Sequence, residues 1–174
     1  EVIWDKQFGF LKETLVAPVP RTVIMLGRTL GGATVATLQG IFVFILTLFV
    51  GFRPEISPLL VLAPFYMLLF AILFTALGTA IASRLNDMQA FPLVMNFLIM
   101  PMFFLSGALF PIDQLPAALK FVVQVNPVSY GVDGMRILLI HLGHFSLWLD
   151  VAVLTVVASL CIAVGAVLFK RIEA

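Results

Sequence analysis

Four uninterrupted stretches of this chain carry no charged residue: 29–52, 56–83, 88–112 and 151–169. An α-helix rises about 1.5 Å per residue, so about 20 residues cross a hydrocarbon core of about 30 Å. The four stretches hold 24, 28, 25 and 19 residues, and each is long enough to cross. Only 11% of the 174 residues are charged and 62% are hydrophobic. A soluble domain carries about 25% charged residues and cannot hide so much apolar surface. Continuous apolar runs, rather than short alternating ones, select helices over a closed barrel. The sequence therefore predicts an all-α integral membrane protein. Transmembrane helices are expected at 29–52, 58–83, 90–110 and 147–169, with 113–145 forming short, re-entrant outer helices.

Basic residues set the orientation. Lys6, Lys12, Arg21, Arg28, Arg84, Lys170 and Arg171 fall on one side of the four spans, and Arg53, Lys120 and Arg136 on the other. The side with seven is expected to be cytoplasmic, with both ends of the chain, and 113–150 faces outward. A net charge of +1 points to no nucleic-acid partner. Cys161 has no partner for a disulfide. The chain opens at Glu1 in a polar segment, without methionine or signal peptide, as expected of a portion of a longer protein.

Before the first span, Trp4, Phe8, Leu11 and Leu15 make one helical stripe. Asp5, Lys6, Lys12 and Glu13 fall mostly away from it, and Pro18 and Pro20 end the helix. Residues 3–17 thus read as an amphipathic interfacial helix, either an anchor for the first span or a dock for a cytoplasmic partner.

Within the spans, Gly27 and Gly31 form a G-x-x-x-G pair suited to close helix packing. Gln39 needs a partner or a wet cavity at mid-span, and packing against another helix meets that need as well as a pathway does. Pro92 and Pro101 bracket Asn96, so two kinks around one polar residue mark either a gate or a static bend. These four, Gln39, Pro92, Asn96 and Pro101, are the pathway candidates. The charge-free stretches leave no ionisable group at depth for a proton-coupled pump or an intramembrane protease.

In the outer segment a first helix is expected from about Leu115 to Gln124. A second starts at Asn126, as N-cap, with Pro127 in its first position. Asp133 and Arg136 stand at i, i+3, spaced to pair. His141 and His144 read as an interfacial pair, since no further ligand is spaced to complete a metal site. No lysine follows a glycine, which excludes a phosphate-binding loop, and no metalloprotease or serine-hydrolase motif occurs.

Three strings in order, GFLKETLVAPVPR at 9–21, FLSGALFPIDQLP at 104–116 and NPVSYGVDGMR at 126–136, resemble the membrane subunit of type-2 ABC exporters. The likeness is nearest to the daunorubicin-resistance-like multidrug permeases and covers nearly the whole chain. It implies a six-helix, non-catalytic permease of which this chain holds the last four helices. It also implies that residues 3–17 are a coupling helix, with Phe8, Leu11, Lys12, Glu13 and Leu15 seated on a separate ATP-binding subunit. Asn126, Pro127, Tyr130, Asp133 and Arg136 would belong to outer helices that cap the exit. ATP and magnesium would reside on the partner. Two permeases, identical or close paralogues, would pair in the cell's inner membrane and move drugs, lipid-like or glycan-type cargo. A membrane scaffold without transport, or a passive pore, also fits the apolar pattern.

Overall fold

A computed structural model of the chain describes residues 3, 19–85, 87, 89–110 and 116–170. They form six α-helices and one 3-10 turn: α1 (Arg21–Phe49), the turn Pro58–Leu62, α2 (Ala63–Ala82), α3 (Ala90–Phe104), α4 (Ala117–Val125), α5 (Pro127–Ile140) and α6 (Leu147–Lys170). Among the described residues there is no strand, and the all-α membrane architecture is as the sequence predicted.

Among the described residues three helices are long and apolar enough to cross a bilayer: Thr22–Phe49, Pro58–Ala82 and Leu147–Leu168. The helix α1 begins at Arg21, eight residues before the expected 29, because Arg28 ends a charge-free stretch without ending a helix. Its stop is set by backbone chemistry. Gly51 has φ of 102°, Phe52 N–H donates to the Thr47 carbonyl and Gly51 N–H to the Leu48 carbonyl. This is the left-handed Schellman turn that glycine favours.

The expected span 90–110 takes a different form. Its helix stops at Phe104 after 15 residues, about 22 Å long, and residues 105–110 turn back. Pro92 lies in the first turn, where a missing N–H costs nothing, so it introduces no kink. Pro101 does lie inside the helix, one turn from its end. Likewise α4 starts at Ala117 rather than Leu115, with Pro116 as its N-cap.

The core is a bundle of α1, α2 and α6, with α2 packed against both others. Small residues make this close: Ala71, Ala76, Gly78, Thr79, Ala80 and Ala82 are all buried on α2. Such residues let helices approach in lipid, where no hydrophobic force holds them together. Among the described residues of α1, Met25, Thr29 and Ala33 are buried, one stripe at i, i+4, i+8. The rest of α1, including Val35, Leu38 and Phe42, is exposed apolar surface suited to lipid. The hydroxyls of Thr34, Thr37, Thr75, Thr79 and Thr155 donate to carbonyls four residues back, so they need no partner in lipid.

Gly27 and Gly31 do not pack against another helix of this chain. A Cβ on either would meet nothing within 4 Å. The close glycine is Gly32, whose Cβ would come 2.6 Å from Thr75 Cγ2 on α2. The G-x-x-x-G spacing thus points one residue away from the face that α2 covers. At the same end of the bundle Ile3 packs with Met25 and Ala82.

Candidate functional site

The short helices α4 and α5 sit at the end of the bundle where α2 and α6 begin. There the sequence NPVSYGVDGMR fastens four separate pieces of chain. Asn126 caps α5 as expected, its Oδ1 accepting from Val128 N–H at 3.0 Å. The same side chain donates through Nδ2 to the Met102 carbonyl at 2.6 Å, which α3's last turn leaves without a helical partner. Pro127 takes the first helical position.

Tyr130 is held twice. Its hydroxyl donates to the Gln124 carbonyl at 2.6 Å, and its own carbonyl accepts from the Tyr66 hydroxyl on α2 at 2.5 Å. Its ring stacks on Phe145 with centroids 4.9 Å apart. Burial pushes the Tyr130 phenol above its ordinary range, so it remains a donor.

Asp133 and Arg136 do not pair. Asp133 is buried and accepts from the backbone N–H of His144 at 2.7 Å and of Phe145 at 2.8 Å, pinning the loop between α5 and α6. Arg136 Nη2 donates to the Gly107 carbonyl at 2.9 Å and more weakly to that of Ala108 at 3.4 Å. The i, i+3 spacing permits an ion pair, but peptide groups from outside the helix satisfy both side chains better. A charge-assisted bond to a peptide group is stronger than a solvated pair worth a few tenths of a kcal/mol.

The histidines also separate. His141 ends α5 with φ of 55° and shares a 2.6 Å hydrogen bond between Nδ1 and Glu55, in the loop after α1. Glu55 N–H donates to the Leu139 carbonyl at 2.9 Å, so that loop is tied to α5 twice. Among the described residues no group of three His, Cys, Asp or Glu is placed to hold a metal.

Beneath this clasp lies an apolar cavity of about 780 Å³, bounded by α1, α2 and α5. That volume is in the range of small-molecule sites. Met67, Phe70 and Phe74 of α2 face Met135 and Leu139 of α5 across it, and Arg136 is the charged residue in its lining. The sequence reading missed these α2 residues. They lie in an all-apolar helix, where periodicity does not distinguish a cavity face from a lipid face.

The four pathway candidates lie elsewhere. Gln39 on α1, and Pro92, Asn96 and Pro101 on α3, are exposed and do not line this cavity. Phe8, Leu11, Lys12, Glu13 and Leu15 fall outside the described residues. Asp150 lies inside the expected helix 147–169 but at the edge of the outward-facing segment 113–150, outside the charge-free stretch 151–169. The helix α6 starts at Leu147 as expected, and Asp150 is buried in its first turn, so an ionisable group does lie within a span. Ser146 just before the helix, whose Oγ accepts from Leu149 N–H at 3.4 Å, is the capping signal that placed the start there.

We expect Asn126→Ala to cost about 2 kcal/mol, since it removes a cap and leaves the Met102 carbonyl unpaired. Equilibrium unfolding in mixed micelles measures it. An unchanged midpoint would show that the α3–α5 tie carries no stability.

Comparison with known proteins covers most of the chain. Residues 1–140 match the family described as ABC-2 type transporter. A putative transport permease, ycf38, of Pyropia yezoensis is 33% identical over 141 residues, 79% of this chain and 47% of its own length. Nodulation protein J of Rhizobium meliloti (strain 1021) is 30% identical over 125 residues, 69% of this chain and 47% of its own. The inner membrane transport permease YadH of Escherichia coli (strain K12) is 30% identical over 126 residues, 72% of this chain and 48% of its own. The chain therefore spans about half the length of these curated relatives. No solved structure matches it.

Proposed function

Because the chain belongs to the ABC-2 type transporter family, we propose that it forms the C-terminal portion of the permease subunit of an ATP-driven exporter. The observation that carries the reading is the match over residues 1–140, which takes in both the amphipathic segment and the NPVSYGVDGMR clasp. Relatives named as transport permeases support the same reading.

On this reading residues 3–17 dock on a separate ATP-binding subunit through Phe8, Leu11, Lys12, Glu13 and Leu15, and ATP and magnesium are bound there. The permease itself catalyses nothing. Nucleotide binding drives the docked segments, and the bundle shifts between two arrangements that differ in their contacts. Gln39 and Asn96, polar side chains on exposed apolar helices, are covered by a second permease copy, along whose interface the pathway runs. The cavity beneath the clasp favours amphiphilic cargo, such as drugs or lipid-like and glycan-linked molecules. The helix α3 with its turn 105–110 serves as a fourth crossing. The count of seven basic residues against three puts both ends in the cytoplasm and the clasp outside the inner membrane.

The test is co-purification of the full-length permease with the ATP-binding subunit encoded beside it. The parent should retain the ATPase, and a Phe8→Asp, Leu11→Asp variant should lose it while still inserting. Retention by the variant would remove the docking role. Absence of any ATPase from the parent would favour a scaffold or a passive pore.

A further inference from the structure

Asp150 has no partner and no access to water. It stands in the first turn of α6 with 0% exposure, and neither carboxyl oxygen has a hydrogen-bond partner. Around it, Tyr66, Tyr130, Leu138 and Leu154 form one buried cluster.

The helices packed on α6 are α2, α5 and α1. Their titratable groups near this end are Tyr66 on α2, and Tyr130 and Asp133 on α5. Each is already committed. The phenolic protons of Tyr66 and Tyr130 go to the carbonyls of Tyr130 and Gln124. Both Asp133 oxygens accept peptide N–H groups. Arg136 turns to Gly107 and Ala108, and His141 to Glu55. The arginines of α1, Arg21 and Arg28, lie at the opposite end, where Met25 meets Gly165 near the close of α6. Among the described residues no cation forms a hydrogen bond with either Asp150 oxygen. No second chain can supply one either, because nothing touches a fully buried side chain without first prising the helices apart.

An ionised carboxylate in such a place would lack both hydration and a counter-charge, a state that buried groups escape by taking up a proton. We infer that Asp150 is a proton-binding site. Its carboxyl is neutral while α5 and the 141–146 loop lie against α6. When they part and water enters, the O–H bond breaks, the proton passes to water and the carboxylate is left hydrated.

The test uses the full-length permease with its ATP-binding subunit in lipid nanodiscs at neutral pH, compared by infrared difference spectroscopy with Asp150→Asn. The wild-type protein should show the C=O stretch of a protonated carboxyl, shifted in heavy water, and the variant should lose that band alone. Loss of an ionised-carboxylate band instead would overturn the proposal. If the amide variant does not assemble, Asp150→Glu keeps the acid and displaces the band, so the same comparison decides: a displaced C=O stretch supports the site, and a displaced carboxylate band overturns it.

Discussion

Replacing Asp133 with alanine should destabilise the protein by about 3 kcal/mol, because two peptide N–H groups lose a charged acceptor at once. Those N–H groups belong to His144 and Phe145, and together they fix the only connection from α5 into α6. Asp133→Asn keeps one oxygen and should lose about half as much. Equilibrium unfolding of the reconstituted protein gives both values. A loss below about 1 kcal/mol for the alanine variant would mean that water replaces the carboxylate and the loop is not pinned. The loss should exceed that of Arg136→Ala, whose carbonyl partners belong to a turn rather than to the bundle core.

The second large effect concerns space. Gly134→Val should cost about 3 kcal/mol, since a Cβ there would fall onto the Tyr66 ring and hydroxyl. Tyr66 is 4% exposed and tied to the Tyr130 carbonyl, so the ring has nowhere to go. Helix propensity alone argues the other way, because glycine inside a helix is worse than alanine by about 1 kcal/mol. Gly31→Ala is the control. Its Cβ meets nothing within 4 Å, so that variant should gain up to about 1 kcal/mol. Equal losses at Gly134 and Gly31 would show that the close approach to α2 is unimportant. Unfolding midpoints of the two variants in the same lipid decide between these outcomes.

What was legible in the sequence was what local chemistry dictates. The cap at Asn126-Pro127 could be read because an N-cap needs only its own next residues. The spans could be read because length and the absence of charge suffice to cross a bilayer. Helix ends were less legible, since charge does not end a helix whereas Pro20 and Gly51 do. The Asp133–Arg136 pairing failed for another reason. Spacing showed that the two charges could meet, but the winning partners stand 11, 12, 28 and 29 residues away in sequence. The burial of Asp150 was hidden in the same way, because only tertiary packing shows that a charge at a span's edge has been drawn inside it. The cavity under the clasp carries no sequence signal, being formed by residues indistinguishable from their lipid-facing neighbours.

No residue of α3 is buried. What the clasp grips is the far end of that helix, through the Met102 carbonyl and the turn that follows. None of its residues is buried by the rest of this chain, so sideways travel sacrifices little packing within it. At its start Phe91 packs against the Met25 and Ala82 cluster, so the helix is held at its two ends and left uncovered by this chain along its middle. The work of moving the far end is set by the two polar side chains that grip it, Asn126 and Arg136, more than by the fifteen residues of the helix.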